Sequence, residues 1–156
     1  MKHPITKEGF EKLKEELARL KKKERPAVIK AISEARAHGD LSENAEYHAA
    51  KEKQSFIEGK IQELNARVAH AEVIDPKTLK YEKVVFGATV VLVDEKGENE
   101  KTYQLVGETE SDLKNGKISV TSPVGRALIG HEVGDEVEIK TPARTITYEI
   151  MDIKYI

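Results

Sequence analysis

Apolar residues in the first half of the chain recur every three or four positions, the spacing of a helix that buries one face. They form two stripes: Phe10, Leu13, Leu17 and Leu20, then Val28, Ile32 and Ala35. The second stripe is shifted by about one residue from a strict heptad, and Pro26 lies at the shift. A proline inside a helix removes a backbone hydrogen bond. We therefore predict a kink or short break near Glu24–Pro26 between two helical stretches, with Thr6 as the N-cap of the first.

A second helical run keeps an uninterrupted heptad pattern. Its inward positions are Tyr47, Ala50, Gln54, Ile57, Ile61, Leu64, Val68 and Ala71. Only His38–Asp40 separates the two runs, so the helices must be antiparallel. Gly39 suits the left-handed position that ends the first helix, and Asp40 with Glu43 matches a capping box for the second. The sequence predicts an antiparallel coiled-coil hairpin over residues 1–75, with arms about 45 Å long and an acidic tip near residues 38–47.

The pattern changes after Asp75 to short, β-branched runs. We predict strands at 84–86, 88–93, 102–106, 117–120, 136–140 and 145–153, and Asn115–Gly116 is a strong turn signal. Ser122 followed by Pro123 indicates the start of a short helix that runs to Leu128 and stops at Gly130. Many strands with one short helix predict a C-terminal α+β domain over residues 76–156.

Composition narrows the range of functions. The 156 residues are 38% hydrophobic and 35% charged and contain no Cys, so disulfides and thiolate metal sites are excluded. Up to Asp75 there are 15 Lys+Arg against 14 Asp+Glu, and the remainder has 11 against 14. Neither part has the basic surplus that grips a nucleic-acid backbone, so any such contact must be local or guided by a protein partner. With no apolar membrane span and no secretory signal, we expect a cytoplasmic protein without membrane contact.

The tip carries the candidate chemistry. Asp40 and Glu43 have two interpretations, and spacing alone favours capping, since carboxylates stabilise a helix N-terminus. The alternative is metal binding, because Mg²⁺ takes oxygen ligands and binds through one or two carboxylates plus substrate phosphate. Two carboxylates bind such an ion weakly, so other ligands would come from a partner. A zinc site at His38 and His48 is disfavoured by their spacing. Tyr47 and Phe56 are interpreted as packing between the helices.

The segment from Ile29 to Tyr47, which contains His38-Gly39-Asp40-Leu41-Ser42-Glu43-Asn44-Ala45-Glu46-Tyr47, resembles the tip signature of the bacterial GreA/GreB transcript-cleavage factors. The resemblance continues in order along essentially the whole chain and is closer to GreA. It is carried by Phe56–Ile61, Val73–Asp75, Val85–Val90, Tyr103–Gly107, Ile118–Pro123 and Arg126–Gly130. Val124–Gly125 departs from the family, which more often has an apolar residue followed by Ala.

The resemblance implies a transcription elongation factor that is not itself an enzyme. The hairpin is expected to enter the secondary channel of the RNA polymerase core, while a C-terminal domain of FKBP-like fold docks at the channel rim. Asp40 and Glu43 are then expected to help hold an Mg²⁺ ion of the polymerase active site, which stimulates the polymerase's own cleavage of backtracked RNA. The chain would need no cofactor of its own and would act as a monomer.

The same resemblance assigns supporting roles. Ser42, Asn44 and Tyr47 are expected to support the tip, and Arg36 and Lys51 to contact the 3′ part of the nascent RNA. The polymerase-docking surface is expected at Ser122, Pro123 and Arg126.

Three other functions remain open. A regulator can occupy the channel and inhibit polymerase without promoting cleavage, although the intact Asp40 and Glu43 pair favours a cleavage factor. A peptidyl-prolyl isomerase needs an aromatic-lined pocket, for which the C-terminal domain offers five Tyr and Phe residues and no Trp. A plain coiled-coil adaptor would tolerate Ser or Thr caps in place of the tip acids.

Overall fold

The computed structural model describes residues 2–39 and 44–156, and its contacts divide the chain into two compact units. One unit is Phe10–Ala71 and contains the hairpin. The other combines the residues up to Gly9 with Glu72–Ile156. No helix in the described ranges is long and apolar enough to cross a membrane. Predicted residues Asp40, Ser42 and Glu43 lie outside the described residues.

The hairpin consists of helices α1 (Lys7–Arg19), α2 (Arg25–Arg36) and α3 (Ala45–His70), with a π-helical segment at Leu20–Glu24 between the first two. The predicted kink or break near Pro26 is therefore a π-helical turn, because the backbone N–H of Arg25 donates to the carbonyl of Leu20, five residues earlier. Glu24 and Arg25 keep right-handed helical angles, so the helical path is not interrupted. A π turn takes up one extra residue, which is the phase shift between the two apolar stripes.

The two arms meet along one apolar seam, defined here as the buried residues of both arms. The seam contains the predicted heptad residues: Leu17, Leu20, Val28, Ile57, Ile61 and Leu64, with Leu13 and Val68 packed at its edge. Ile32 and Ala35 are also buried, nearer the bend. The outer faces of α1, α2 and α3 are mostly exposed, so one strip of contacts holds the arms together.

Thr6 caps α1, as predicted, because its hydroxyl oxygen accepts a bond of 3.1 Å from the backbone N–H of Gly9. The residues before it form a strand that the sequence did not predict, β1 (His3–Thr6), which pairs with β2 (Ala71–Ile74). The carboxylate of Glu110 accepts bonds from the backbone N–H and the hydroxyl of Thr6. The start of α1 is thus fixed within the second unit.

The second unit contains a five-stranded sheet. Its strands are β3 (Thr89–Asp94), β4 (Glu100–Val106), β5 (Lys117–Ser119), β6 (Glu136–Lys140) and β7 (Thr145–Lys154), in the order β5-β4-β3-β7-β6. Only the β4–β5 pair is parallel among these neighbours. The core lies on one face of the sheet, beneath α4 (Pro123–Leu128), and includes Val90, Leu92, Leu105, Leu128 and Ile150. An N-terminal helical hairpin followed by an α+β domain confirms the predicted fold class.

The predicted strand at residues 84–86 is wrong. Val84 is fully buried, but its backbone N–H donates to the carbonyl of His131 and its own carbonyl accepts from Gly130. A buried backbone group needs a partner, and here the loop after α4 supplies it instead of a neighbouring strand. The run of apolar residues correctly indicated that Val84 is buried, but it incorrectly indicated a strand.

Candidate functional site at the hairpin bend

Helix α2 ends in a tight turn. The backbone N–H groups of Ala37, His38 and Gly39 donate to carbonyls three or four residues back. Gly39 has a φ of +109°, a conformation that side chains rarely allow. The turn therefore begins at Ala37, and Gly39 lies one residue later in it than the sequence predicted.

Asn44 joins the two arms at the bend. Its side-chain carbonyl accepts a 3.0 Å bond from the backbone N–H of Tyr47, which caps α3. Its side-chain amide donates a 2.7 Å bond to the carbonyl of Ala35 in the last turn of α2. The Tyr47 N–H has no partner inside α3, so Asn44 satisfies it. The Ala35 carbonyl accepts from both the Asn44 amide and the backbone N–H of His38.

The predicted capping of α3 by Asp40 is wrong. Helix α3 begins at Ala45, and its N-cap is Asn44, with extended backbone angles of −82° and 98°. The sequence contains several residues able to cap, and their order alone does not decide which of them forms the cap. A capping box of Asp40 and Glu43 therefore does not explain why two carboxylates occur in this part of the sequence.

Tyr47 is half-buried, and its ring contacts two neighbouring side chains. The guanidinium of Arg36 lies 5.8 Å from the centroid of its ring, a cation–π distance, and the ring of His48 meets it edge-on at 5.6 Å. Arg36 is otherwise exposed. Lys51, one turn further along α3, is exposed as well, and its ammonium lies 3.4 Å from the side-chain oxygen of Gln54. Both cations are accessible near the bend, and their contact with RNA stays a prediction.

His38 and Glu46 are two described ionisable side chains that meet at the bend. His38 faces Glu46 at 3.8 Å, which is an ion pair when the imidazole is protonated. Within residues 2–39 and 44–156 there is no group of three His, Asp or Glu side chains placed to hold an ion.

Below the bend, Arg25 and Glu58 link the arms across the seam. Two parallel hydrogen bonds of 2.7 and 2.8 Å run from the guanidinium to the carboxylate. The hydrogen bonds from Arg25 hold the pKa of Glu58 below its ordinary value. Such a two-point contact fixes the relative register of α2 and α3.

Phe56 does not pack in the seam, and this prediction is wrong. Its side chain is 74% exposed, whereas Ile57 beside it is buried. Successive helical residues point about 100° apart, so a residue next to a seam position points away from the seam. This leaves an exposed aromatic ring on α3.

The predicted docking residues surround the start of α4. The Ser122 hydroxyl oxygen accepts from the backbone N–H of Gly125 and donates to the carbonyl of Ser119, so it is used within the domain. Pro123 is the first helical residue and is exposed, as is Arg126. The short helix forms as predicted, and Pro123 and Arg126 present the accessible surface of this segment.

Two family models match this chain almost end to end. One describes the N-terminal part of a transcription elongation factor and covers residues 3–73, and the other describes the C-terminal part of GreA/GreB and covers residues 79–155. The chain belongs to the GreA/GreB family of transcription elongation factors. This confirms the family and the function class that the resemblance implied.

Individual relatives agree over nearly the whole length. The chain is 66% identical to transcription elongation factor GreA of Thermodesulfovibrio yellowstonii, over 97% of this chain and 96% of the relative. It is 59% identical to GreA of Mesorhizobium japonicum, over 99% of both. A solved GreA/GreB structure from Nitrosomonas europaea is 25% identical over 99% of both chains, with a TM-score of 0.45.

Proposed function

We propose that this chain stimulates cleavage of backtracked RNA by RNA polymerase. In this proposal the hairpin enters the secondary channel of the polymerase, and Asp40 and Glu43 reach the active site. The domain of residues 76–156 docks at the channel rim through the surface around Pro123 and Arg126. The chain acts as a cytoplasmic monomer and catalyses nothing alone.

The observation that carries the proposal is the N-cap of α3. Capping was the competing explanation for Asp40 and Glu43, and Asn44 occupies that position instead. The carboxylates therefore need another role, and they lie in the sequence between the last described residue of one arm, Gly39, and the cap of the other. The short connection supports a role for them at the far end of both arms.

The chemistry of the donor set fits an ion that belongs mainly to the polymerase. Mg²⁺ in a two-metal site stabilises the attacking and leaving oxygens of a phosphoryl displacement. Asp40 and Glu43 supply two oxygen-donor side chains, and the described residues contain no group of three His, Asp or Glu side chains placed to hold an ion. An incomplete set suits an ion that is already held by another protein and by the RNA phosphate.

Contacts between the two helical arms stabilise the helices on both sides of Asp40 and Glu43 in the sequence. Asn44 ties the end of α2 to the start of α3, and the Arg25–Glu58 contact holds the register further down. Arg36 and Lys51 add positive charge near the bend, suited to phosphate contacts that carry no sequence preference.

The test uses a stalled, backtracked elongation complex with labelled RNA. The wild-type chain should speed the shortening of the RNA when Mg²⁺ is present. Asp40→Asn and Glu43→Gln should each reduce the stimulated rate by roughly 10–100-fold, the range seen when groups that tune a metal site are removed. Because Asn44 is the cap of α3, the helical content and melting temperature should stay unchanged.

Glu46→Gln is the matched control, since Glu46 is an exposed carboxylate next to the bend that faces His38. The Glu46→Gln variant should stimulate RNA cleavage to the wild-type rate. If Asp40→Asn also stimulates cleavage to that rate, the metal-directed role of Asp40 is wrong. If the wild-type chain slows elongation without shortening RNA, the chain is a channel-occupying inhibitor instead.

A further inference from the structure

Phe56 and Gly59 form an unusual pair on the outer surface of α3. They are three residues apart, so they are neighbours on one face of the helix. Phe56 is 74% exposed, although the other large apolar residues of α3 point into the seam or its edge. An aromatic ring so exposed gains nothing from the fold of this chain.

Gly59 is the second observation, independent of the first. It lies in the interior of a 26-residue helix, where Gly is the least favourable residue after Pro. Its φ lies in no special region, and a Cβ built there would meet nothing within 4 Å. Neither the backbone conformation nor the packing of this chain requires Gly, so an explanation must come from outside the chain.

We infer that Phe56 and Gly59 are a contact surface for a protein wall of RNA polymerase, with the ring as the anchor and the glycine as the place of close approach. The inference rests on the proposed function, in which the hairpin is enclosed by the polymerase. Exposed aromatic residues that enter an apolar pocket are typical anchors of protein interfaces. A neighbouring glycine lets the partner's backbone or side chains come close to the helix.

The charges around the pair favour protein over RNA as the occupant. Five charged residues lie within one turn of Phe56 or Gly59: Glu52, Lys53, Glu58, Lys60 and Glu63. Glu58 is paired with Arg25, and the charges of the other four cancel. Glu63 lies 3.6 Å from Lys60 and 2.6 Å from Arg67. A surface without a positive surplus does not attract a phosphate backbone.

The position of Phe56 along α3 also favours protein over RNA as the occupant. Phe56 is eleven residues after Ala45, so it lies about 17 Å along α3 from its first turn. The reacting RNA end in the proposed function is at the tip, beyond that first turn. A side chain about two fifths of the way along α3 would face the surrounding protein instead.

The experiment measures stimulated RNA cleavage against factor concentration for the wild-type chain, Phe56→Ala and Gly59→Gln. Both variants should raise the half-saturating concentration roughly tenfold or more, as for truncation or obstruction of an interface anchor, and leave the maximal cleavage rate unchanged. Gly59→Gln should also raise the melting temperature of the isolated chain, because Gln is a better helix former than Gly. A variant that is more stable and yet binds polymerase more weakly would show that the weaker binding comes from a lost contact and not from unfolding.

Ile29→Ala is the matched control, because Ile29 is an exposed aliphatic residue on the opposite arm, 53% exposed. It should leave the half-saturating concentration unchanged. Wild-type values for both Phe56→Ala and Gly59→Gln would overturn the inference while the wild-type chain still stimulates cleavage. If the wild-type chain does not stimulate cleavage at all, the proposed function is wrong instead.

Two other occupants give distinct results. If Phe56→Ala lowers the maximal rate and not the half-saturating concentration, the ring acts on the reacting RNA and the protein wall is the wrong occupant. If light scattering shows a wild-type dimer that Phe56→Ala makes monomeric, the surface binds a second copy of the chain, which also overturns the inference.

Discussion

Arg25 and Glu58 show how one pair of residues makes the hairpin sensitive to pH. Their two parallel bonds cross from α2 to α3, and both side chains are partly exposed. The hydrogen bonds from Arg25 favour the charged carboxylate, so they lower the pKa of Glu58 from its ordinary 4.5. A group whose pKa is lowered by folding stabilises the folded state above its ordinary pKa, and that stability is lost as pH falls through the folded value.

We expect Glu58→Gln to destabilise the hairpin at pH 7 and to have no such effect in acid. The loss should be modest, since solvent weakens an exposed pair. Urea unfolding followed by circular dichroism at 222 nm measures the difference from wild type at several pH values. The difference should shrink as pH falls below 4.5, the ordinary pKa of Glu58. Glu52→Gln, on the exposed face of the same helix, is the control. A Glu58→Gln effect that does not diminish as the pH falls below 4.5 would contradict the assignment.

The role of Asn44 can be tested directly, because its side chain accepts one hydrogen bond and donates the other. Asn44→Asp keeps an acceptor for the Tyr47 N–H and loses the donor to Ala35. Asn44→Ala loses both and should cost about 1–2 kcal/mol of hairpin stability, the upper range for an N-cap. Hydrogen exchange should find the Tyr47 amide protected in wild type and Asn44→Asp and unprotected in Asn44→Ala. Equal protection in all three would rule out Asn44 as the cap.

At the scale of elements, the π-helical segment Leu20–Glu24 reconciles two apolar stripes that are out of phase. Leu20 and Val28 are both buried in the seam, eight residues apart, where a strict heptad pattern would place seven. The π turn absorbs the extra residue, and Pro26 follows it directly in the first turn of α2. The segment is therefore required by the spacing of the seam residues.

Deletion of Lys22 should convert this segment to regular α-helix. The seam residues would return to heptad phase, so stability should stay within about 1 kcal/mol of wild type. Deletion of Lys30 is the matched control, since it lies in the regular part of α2 and would turn Ile32 and Ala35 relative to Val28 by about 100°. That variant should lose about 1.5–3 kcal/mol from exposure of Ile32 alone. Thermal unfolding compares the two deletions, and equal losses would mean that the π turn does not absorb the shift.

The same elements show what a sequence can predict. The heptad residues of α3 and the short helix from Ser122 to Leu128 follow from local spacing and capping, and both are present. Strands β1 and β2 were missed because each is four residues long and is stabilised by a partner about 68 positions away. The N-cap of α3 was misassigned because Asp40 and Asn44 have equivalent capping chemistry, and only three-dimensional structure distinguishes them. Asp40, Ser42 and Glu43 lie outside the described residues, so their roles rest on the family resemblance and on the chemistry of carboxylates.

At the scale of the whole molecule, the buried residues in the described part of the chain form two separate sets. One is the seam of the hairpin, and the other is the core of the α+β domain. Among the described residues, the seam has eight buried apolar residues, counting Ile32 and Ala35, and the domain core has eleven, several of them completely inaccessible. Because buried apolar area is the main source of stability, the hairpin should be the less stable unit.

Two matched substitutions test this difference. Ile61→Ala removes a seam side chain that is 2% exposed, and Leu92→Ala removes one from the domain core that is 0% exposed. Each should cost about 2–5 kcal/mol, the usual range for such truncations. Hydrogen exchange followed along the chain measures the opening free energy of α3 and of β3 separately.

Ile61→Ala should speed exchange in α3 and leave β3 protected, because the two residues belong to different cores. Leu92→Ala should expose the amides of the sheet. Equal loss of protection in both regions after Ile61→Ala would mean that the chain opens as a single cooperative unit. A hairpin that opens on its own can lose its seam while the C-terminal domain stays folded, so cleavage stimulation should then fail before docking does. Competition between Ile61→Ala and the wild-type chain for polymerase, measured at rising temperature, would find weakened binding through the C-terminal domain at temperatures where stimulation is already lost.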